Sequence, residues 1–240
     1  MPTTTEVSHS ACPKRCRYAD FLPILALDFV LLHEFGHLLH GHLDFLQAGN
    51  LRSCISEMAE ALLGRNHQEA IDSQTLEYDA DMFAVGKMYR KIISDDFRVI
   101  STFVAQPADF QDRAYLFHSA LQILFNVLDD LSKGLTGPAE LRLHPPAIYR
   151  GNYAHAAAVE FVTNTFGAQT GEIYAHAAMY GSIETTIAFK KAAQVQSGTA
   201  EEANESWRKG GVYLDNLHAN WRSVRPRLAG FQLGGSLAPG

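Results

Sequence analysis

Cysteine is scarce in this chain. Cys12, Cys16 and Cys54 are the whole complement, too few and too irregular for a disulfide framework, so a reducing, cytoplasmic setting is the default expectation. Cys12 and Cys16 have the spacing of half a metal site, but no second pair completes it, and free thiols are expected. Basic charge is short as well. The formal net charge of −6 gives no electrostatic reason to expect nucleic acid or an anionic membrane as the main partner. Long apolar runs are missing: Phe21–Leu32 is interrupted by Asp28 and leads into His33 and Glu34, and Tyr115–Leu128 carries His118, Gln122 and Asn126. A bilayer span takes about 20 apolar residues, so no membrane span is expected. The polar first twenty residues do not resemble a signal peptide. Strand-like alternation is confined to Phe97–Val104, and neither an internal repeat nor a clear linker is found.

What is present is a chain of 240 residues, 47% of them hydrophobic, enough to bury one substantial core. Helical spacing dominates. Asp20 is placed to cap a helix running to about Gln47, before Gly49-Asn50. A short helix over 53–63 is expected, then one opening at Ser73 with Leu76, Ala80, Phe83, Ala84, Met88 and Ile92 on its apolar face. Asp109–Lys133, apolar on most sides, reads as a buried central helix. Pro145-Pro146 seeds a helix over 147–166, and further helices are expected over 171–196 and 200–223. The fold class is therefore mostly α, with little or no sheet. The expected organisation is a flexible arm (1–19), one helical domain (20–228, with a motif-bearing core 20–155 and an extension 156–228) and a disordered Gly-rich tail (229–240).

Within the first helix stands His33-Glu34-Phe35-Gly36-His37. Two His at i and i+4 share one helical face, so both imidazoles can reach a single metal ion. Glu34, beside the first, can lean over an open coordination position as a general base. The flanking Val30-Leu31-Leu32 and Leu38-Leu39 are strongly apolar, so these polar groups enter an interior and need partners there.

A catalytic zinc takes three protein ligands at roughly 2.0–2.2 Å for N and O donors and keeps the fourth position open. The best third ligand is Glu77, in Glu77-Tyr78-Asp79-Ala80-Asp81. Enough chain separates it from His37 to reverse direction and lay a second helix on the first. Asp81 lies one turn on, placed to accept the outer N–H of a ligating His and fix its tautomer. Ala80 would let the helices approach closely. Glu57 and Glu60 are rival ligands, but neither has an Asp four residues on.

These motifs, followed by His144-Pro145-Pro146-Ala147-Ile148-Tyr149-Arg150, resemble the gluzincin metallopeptidases of the HtpX-like and CAAX-prenyl-protease-like group in order and spacing, over about 32–150. The resemblance implies a mostly α, zincin-like peptidase domain holding one Zn2+ per chain. His33, His37 and Glu77 would bind the metal, Glu34 would be the general base, and Asp81 would hydrogen-bond a ligating His. His144 and Arg150 would border the active site. The chain lacks the transmembrane helices of that group's membrane members and has little sequence ahead of the first motif. Two other groups share part of the pattern. The ImmA/IrrE-type regulatory peptidases have a Glu-x-x-Ala-Asn-x-Phe-Ala segment, where this chain has Asp81-Met82-Phe83-Ala84. The Lit peptidases are a small zinc-peptidase group with the same first motif.

Other polar residues carry weaker signals. His40 falls on the face of His33 and His37, and it or His42 could be an extra ligand, although a structural histidine is the commoner outcome. Tyr149, Tyr153, His155, Tyr174, His176 and Tyr180 are candidate donors to a tetrahedral intermediate, together with His144 and Arg150. The leading functional reading is a zinc peptidase acting on a peptide or protein. Its rivals are a regulatory peptidase that cleaves one specific protein, such as a repressor or a translation factor, and a non-catalytic zinc-stabilised interaction module. His40 is the one nearby residue that could close a structural site.

Overall fold

In the computed structural model, the residues described are 13–48, 67–93, 110–132, 142, 144–192 and 200–239. They form seven helices and, among the described residues, no strand. In chain order these are α1 (Pro13–Leu39), α2 (His42–Ala48), α3 (His67–Ile93), α4 (Phe110–Ser132), α5 (Ala147–Phe166), α6 (Ala168–Ala192) and α7 (Ala200–Leu228). The mostly α expectation holds. The expected helix over 53–63, the Phe97–Val104 strand and the rival acids Glu57 and Glu60 lie outside the described residues.

The innermost helix is α3, which packs against α1, α4, α5 and α7. Every residue from Gln74 to Asp81 is buried, including Glu77, Asp79 and Asp81. A helix enclosed on all sides is normally apolar, so each of these polar groups must be matched by a partner. α4, expected to be a buried central helix, packs against α1, α3, α5 and α6 and is buried along Leu116–Leu121, while Val127 and Leu131 toward its end are exposed. α7 lies along α3 and answers part of its polarity. Asn220 Nδ2 donates to Asp72 Oδ1 and Thr75 Oγ1, both at 2.9 Å, and the Tyr213 hydroxyl donates to Gln74 Oε1 at 2.8 Å.

α1 presents Phe21, Leu25, Phe29, His33 and Gly36 inward, a stripe at the spacing of one helical face that His40 continues just past the helix end. Its outer face carries Leu27, Leu31, Phe35 and Leu38, all exposed. Over Ala19–Leu39 this helix is long and apolar enough to cross a membrane, which corrects the expectation that no segment has that character. The acidic residues of this stretch, Asp20, Asp28 and Glu34, do not lower the average enough.

Three further expectations are corrected. Residues 13–19 belong to α1 rather than to a flexible arm. Pro13 is tolerated in a first turn, and Lys14-Arg15-Cys16-Arg17 has no helix breaker. The helix drawn through to Gln47 instead breaks at Gly41, where φ is +72° and a Cβ would stand 2.1 Å from the Phe231 carbonyl oxygen. Only glycine meets both demands.

The Gly-rich segment 229–239 is ordered against the fold. Leu233 and Gly234 N–H both donate to the Leu39 carbonyl, at 2.8 and 3.0 Å, satisfying an acceptor at the end of α1. Phe231 meets Phe45 edge-on, and the Trp221 indole donates to the Pro239 carbonyl at 2.9 Å. Here the small residues serve close approach rather than chain freedom.

Candidate metal centre

α1 and α3 come close together at Gly36 and Ala80. A Cβ on Gly36 would stand 3.1 Å from the Ala80 Cα, so the glycine of the first motif and the alanine of the second set the helix separation. Across this contact the two imidazoles of α1 meet the carboxylate of α3. His33 Nε2 and His37 Nε2 face one another at 3.1 Å. Glu77 Oε2 is 3.3 Å from the first, and Glu77 Oε1 is 3.2 Å from the second. Three ligand atoms so clustered can hold one metal ion, and their separations suit a tetrahedral shell of N and O donors.

The outer nitrogens are occupied, which fixes what the inner ones offer. His33 Nδ1 lies 2.8 Å from Asp81 Oδ1. A carboxylate only accepts, so this nitrogen carries the proton and Nε2 is free to present a lone pair. Asp81 takes three more hydrogen bonds: Arg150 Nε–H to Oδ2 at 2.9 Å, Arg150 Nη2–H to Oδ1 at 2.8 Å, and the Tyr153 hydroxyl to Oδ2 at 2.5 Å. Burial opposes the charge on Asp81, yet Arg150 and His33 hold its carboxyl well below the usual range. Glu77 is also kept ionised against burial, by His144, His37 and His33. Burial works against a charged His33, but hydrogen bonds and charge from Asp81 and Glu77 outweigh it and raise its pKa to about 9. Without a metal, the fold favours a proton at the point where the three ligand atoms converge.

All the anticipated ligands therefore come together, with Asp81 behind the first imidazole. His144 Nδ1 is 3.1 Å from Glu77 Oε2. Arg150 is turned toward Asp81 and stays 4.0 Å from Glu77. His40 stays on the inward side, its N–H still bonded to the Gly36 carbonyl, but its Nδ1 bonds to Asp79 rather than joining the cluster of His33, His37 and Glu77. His42, weighed in the sequence as an extra ligand or a structural histidine but not as a partner of His37, lies with Nδ1 at 2.8 Å from His37 Nδ1 and Nε2 at 3.0 Å from Asp79 Oδ2. Burial and the neighbouring histidines overcome the pull of Asp79 and lower the His42 pKa to about 4, leaving the ring neutral. Gly41, as a helix-breaking signal, could have revealed this return.

A cleft of about 470 Å³ opens over the centre, lined by His33, Glu34, His37, Glu77, His144 and Arg150. Its remaining walls are chiefly apolar, from Phe29, Val30, Leu38, Leu43, Leu76 and Leu124 among others. Among the candidate donors only His144 and Arg150 line it. Tyr153 is held on Asp81, Tyr149 stacks on Tyr213, and Tyr174 bonds to His118.

The family model for Peptidase U49 matches residues 2–127 of the chain, a stretch that holds both imidazoles, Glu34 and the acids of α3. No curated protein and no solved structure matches.

Proposed function

From a chain that belongs to the Peptidase U49 family, and so to the peptidases, we propose a zinc-dependent metallopeptidase with Glu34 as its general base. The observation that carries this reading is the triangle of His33 Nε2, His37 Nε2 and Glu77, whose members lie 3.1 to 3.3 Å apart. Two nitrogen lone pairs and a carboxylate turned toward one point are unfavourable together unless a cation, or a proton, stands between them. The order of the three motifs, which resembles the HtpX-like gluzincins, supports zinc as that cation. Bound zinc supplies Lewis acidity toward water and toward the scissile carbonyl.

The remaining work falls to residues of the cleft. Glu34 is exposed where the cleft opens. There it takes the proton of the attacking water and returns it to the leaving amine. His144, beside Glu77, donates toward the oxygen that becomes negative in the tetrahedral transition state. Arg150 acts through Asp81, which is held by both guanidinium contacts and in turn orients His33. His40, the nearby residue that could close a purely structural site, has its Nδ1 turned onto Asp79, and this favours catalysis over a zinc-stabilised module.

The deciding experiment is metal analysis of the purified protein, together with hydrolysis of a peptide library before and after chelation. One zinc per chain is expected, with hydrolysis abolished by chelator and restored by zinc. Hydrolysis that survives complete removal of metal would sink the proposal.

A further inference from the structure

We infer that Asp79 and His42 are positioning residues that hold the second metal imidazole, His37, with segment 229–239 fixing the far end of the line. The inference rests on the zinc reading above. The break at Gly41 turns His42 back beneath α1, where its Nδ1 meets His37 Nδ1 at 2.8 Å and its Nε2 lies 3.0 Å from Asp79 Oδ2. Because the carboxylate can only accept, His42 Nε2 carries the proton and donates. Its Nδ1 then bears a lone pair, and His37 Nδ1–H donates to it. That assignment leaves His37 a lone pair at Nε2, the atom that faces His33 and Glu77. Each ligating imidazole thus has its own aspartate: Asp81 directly behind His33, and Asp79 one ring removed behind His37.

The line has little freedom. His42 and Asp79 are both 0% exposed. Asp79 Oδ2 also accepts from His40 Nδ1, and Oδ1 accepts from the Ala238 backbone N–H at 2.6 Å. Three donors converge on one buried carboxylate, and rotating any member would leave a buried group unpaired. His40, His42 and Asp79 also lie close enough together to hold a cation themselves. The hydrogen-bonded line is the better account, because a cation on His42 Nε2 would move that ring's proton to Nδ1, make His37 Nδ1 the acceptor and leave a proton on His37 Nε2, where the first centre needs a lone pair.

The test uses the full chain and zinc alone, read by chelator competition and metal counting, with cobalt substituted for its visible spectrum. His42→Phe keeps the ring volume and removes the acceptor from His37. It is expected to lower zinc affinity 10–100-fold and to alter the cobalt absorption bands. Asp79→Asn should shift affinity in the same direction. The double variant should bind no more weakly than His42→Phe alone, since Asp79 acts through His42. Thermal unfolding of the metal-free variants checks the fold; if His42→Phe does not fold, Asp79→Asn alone decides. Wild-type affinity and spectrum in a folded variant would overturn the inference, as would two zinc ions per wild-type chain. Wild-type protein that takes up no zinc removes the zinc reading itself, a separate failure seen before any variant is compared.

Discussion

Ala80 Cα lies 3.1 Å from where a Cβ on Gly36 would stand, so the residue that interrupts the first motif is matched to the one that interrupts the second. The ligands of α1 reach Glu77 only because these two positions are small. Gly36→Val adds three carbons against a backbone that has no room to retreat. It should destabilise the protein by about 1–3 kcal/mol through overpacking and weaken zinc binding by moving the helices apart. Thermal unfolding and chelator competition measure both; wild-type values in each would deny the contact its role.

Glu34 is exposed at the cleft and lies outside the ligand triangle. Glu34→Gln should therefore keep its zinc and lose about 10²–10⁴ in turnover, the usual worth of a positioned base. Metal content beside peptide hydrolysis tests it. Near wild-type turnover would remove Glu34 from the mechanism.

Asp81 has two roles that one substitution separates from those of Glu77. Glu77→Ala should abolish zinc uptake. Asp81→Asn should reduce affinity 10–100-fold by loosening His33, and should also destabilise the metal-free protein. Arg150 is 5% exposed, and a buried guanidinium deprived of its carboxylate costs about 3–5 kcal/mol. A stable, metal-free-folded Asp81→Asn protein would show that Arg150 finds its compensation elsewhere.

The pKa of His33, raised to about 9 in the metal-free protein, gives zinc uptake a defined pH dependence. The metal needs the unprotonated Nε2, so at neutral pH binding expels a proton. Apparent affinity should rise with pH by up to about tenfold per unit and level off above about pH 9. Chelator competition across that range reads the slope; a flat profile would mean that no proton occupies the triangle.

Much of this centre could be read from sequence because its ligands obey helical spacing. His33 and His37 are one turn apart on α1, Glu77 and Asp81 one turn apart on α3, and the intervening Ala80 marks the crossing. The helix over 147–166 was also legible, since a proline pair fixes its start. What could not be read depends on the chain changing direction. His42 reaches His37 only because Gly41 breaks the helix, while the apolar pattern on either side continues as though it did not. Arg150 could be placed near the site by its motif, but its commitment to Asp81 needs the α3–α5 packing. The contact between Ala238 and Asp79 joins residues 159 apart, and a Gly-rich composition is common to loose chain and to tightly threaded chain.

The family match ends at residue 127, yet Asp81 draws its counter-charge from Arg150 and Asp79 takes a hydrogen bond from Ala238. A protein cut after the matched stretch would hold His33, His37 and Glu77, the proposed metal ligands, and none of these later supports. Its two central aspartates would then be charges enclosed without full recompense, as unwelcome to the fold as to the chemistry. The later helices and the closing strap are thus a counterweight to the anionic heart of the molecule, and loss of either should be felt first as failure to fold.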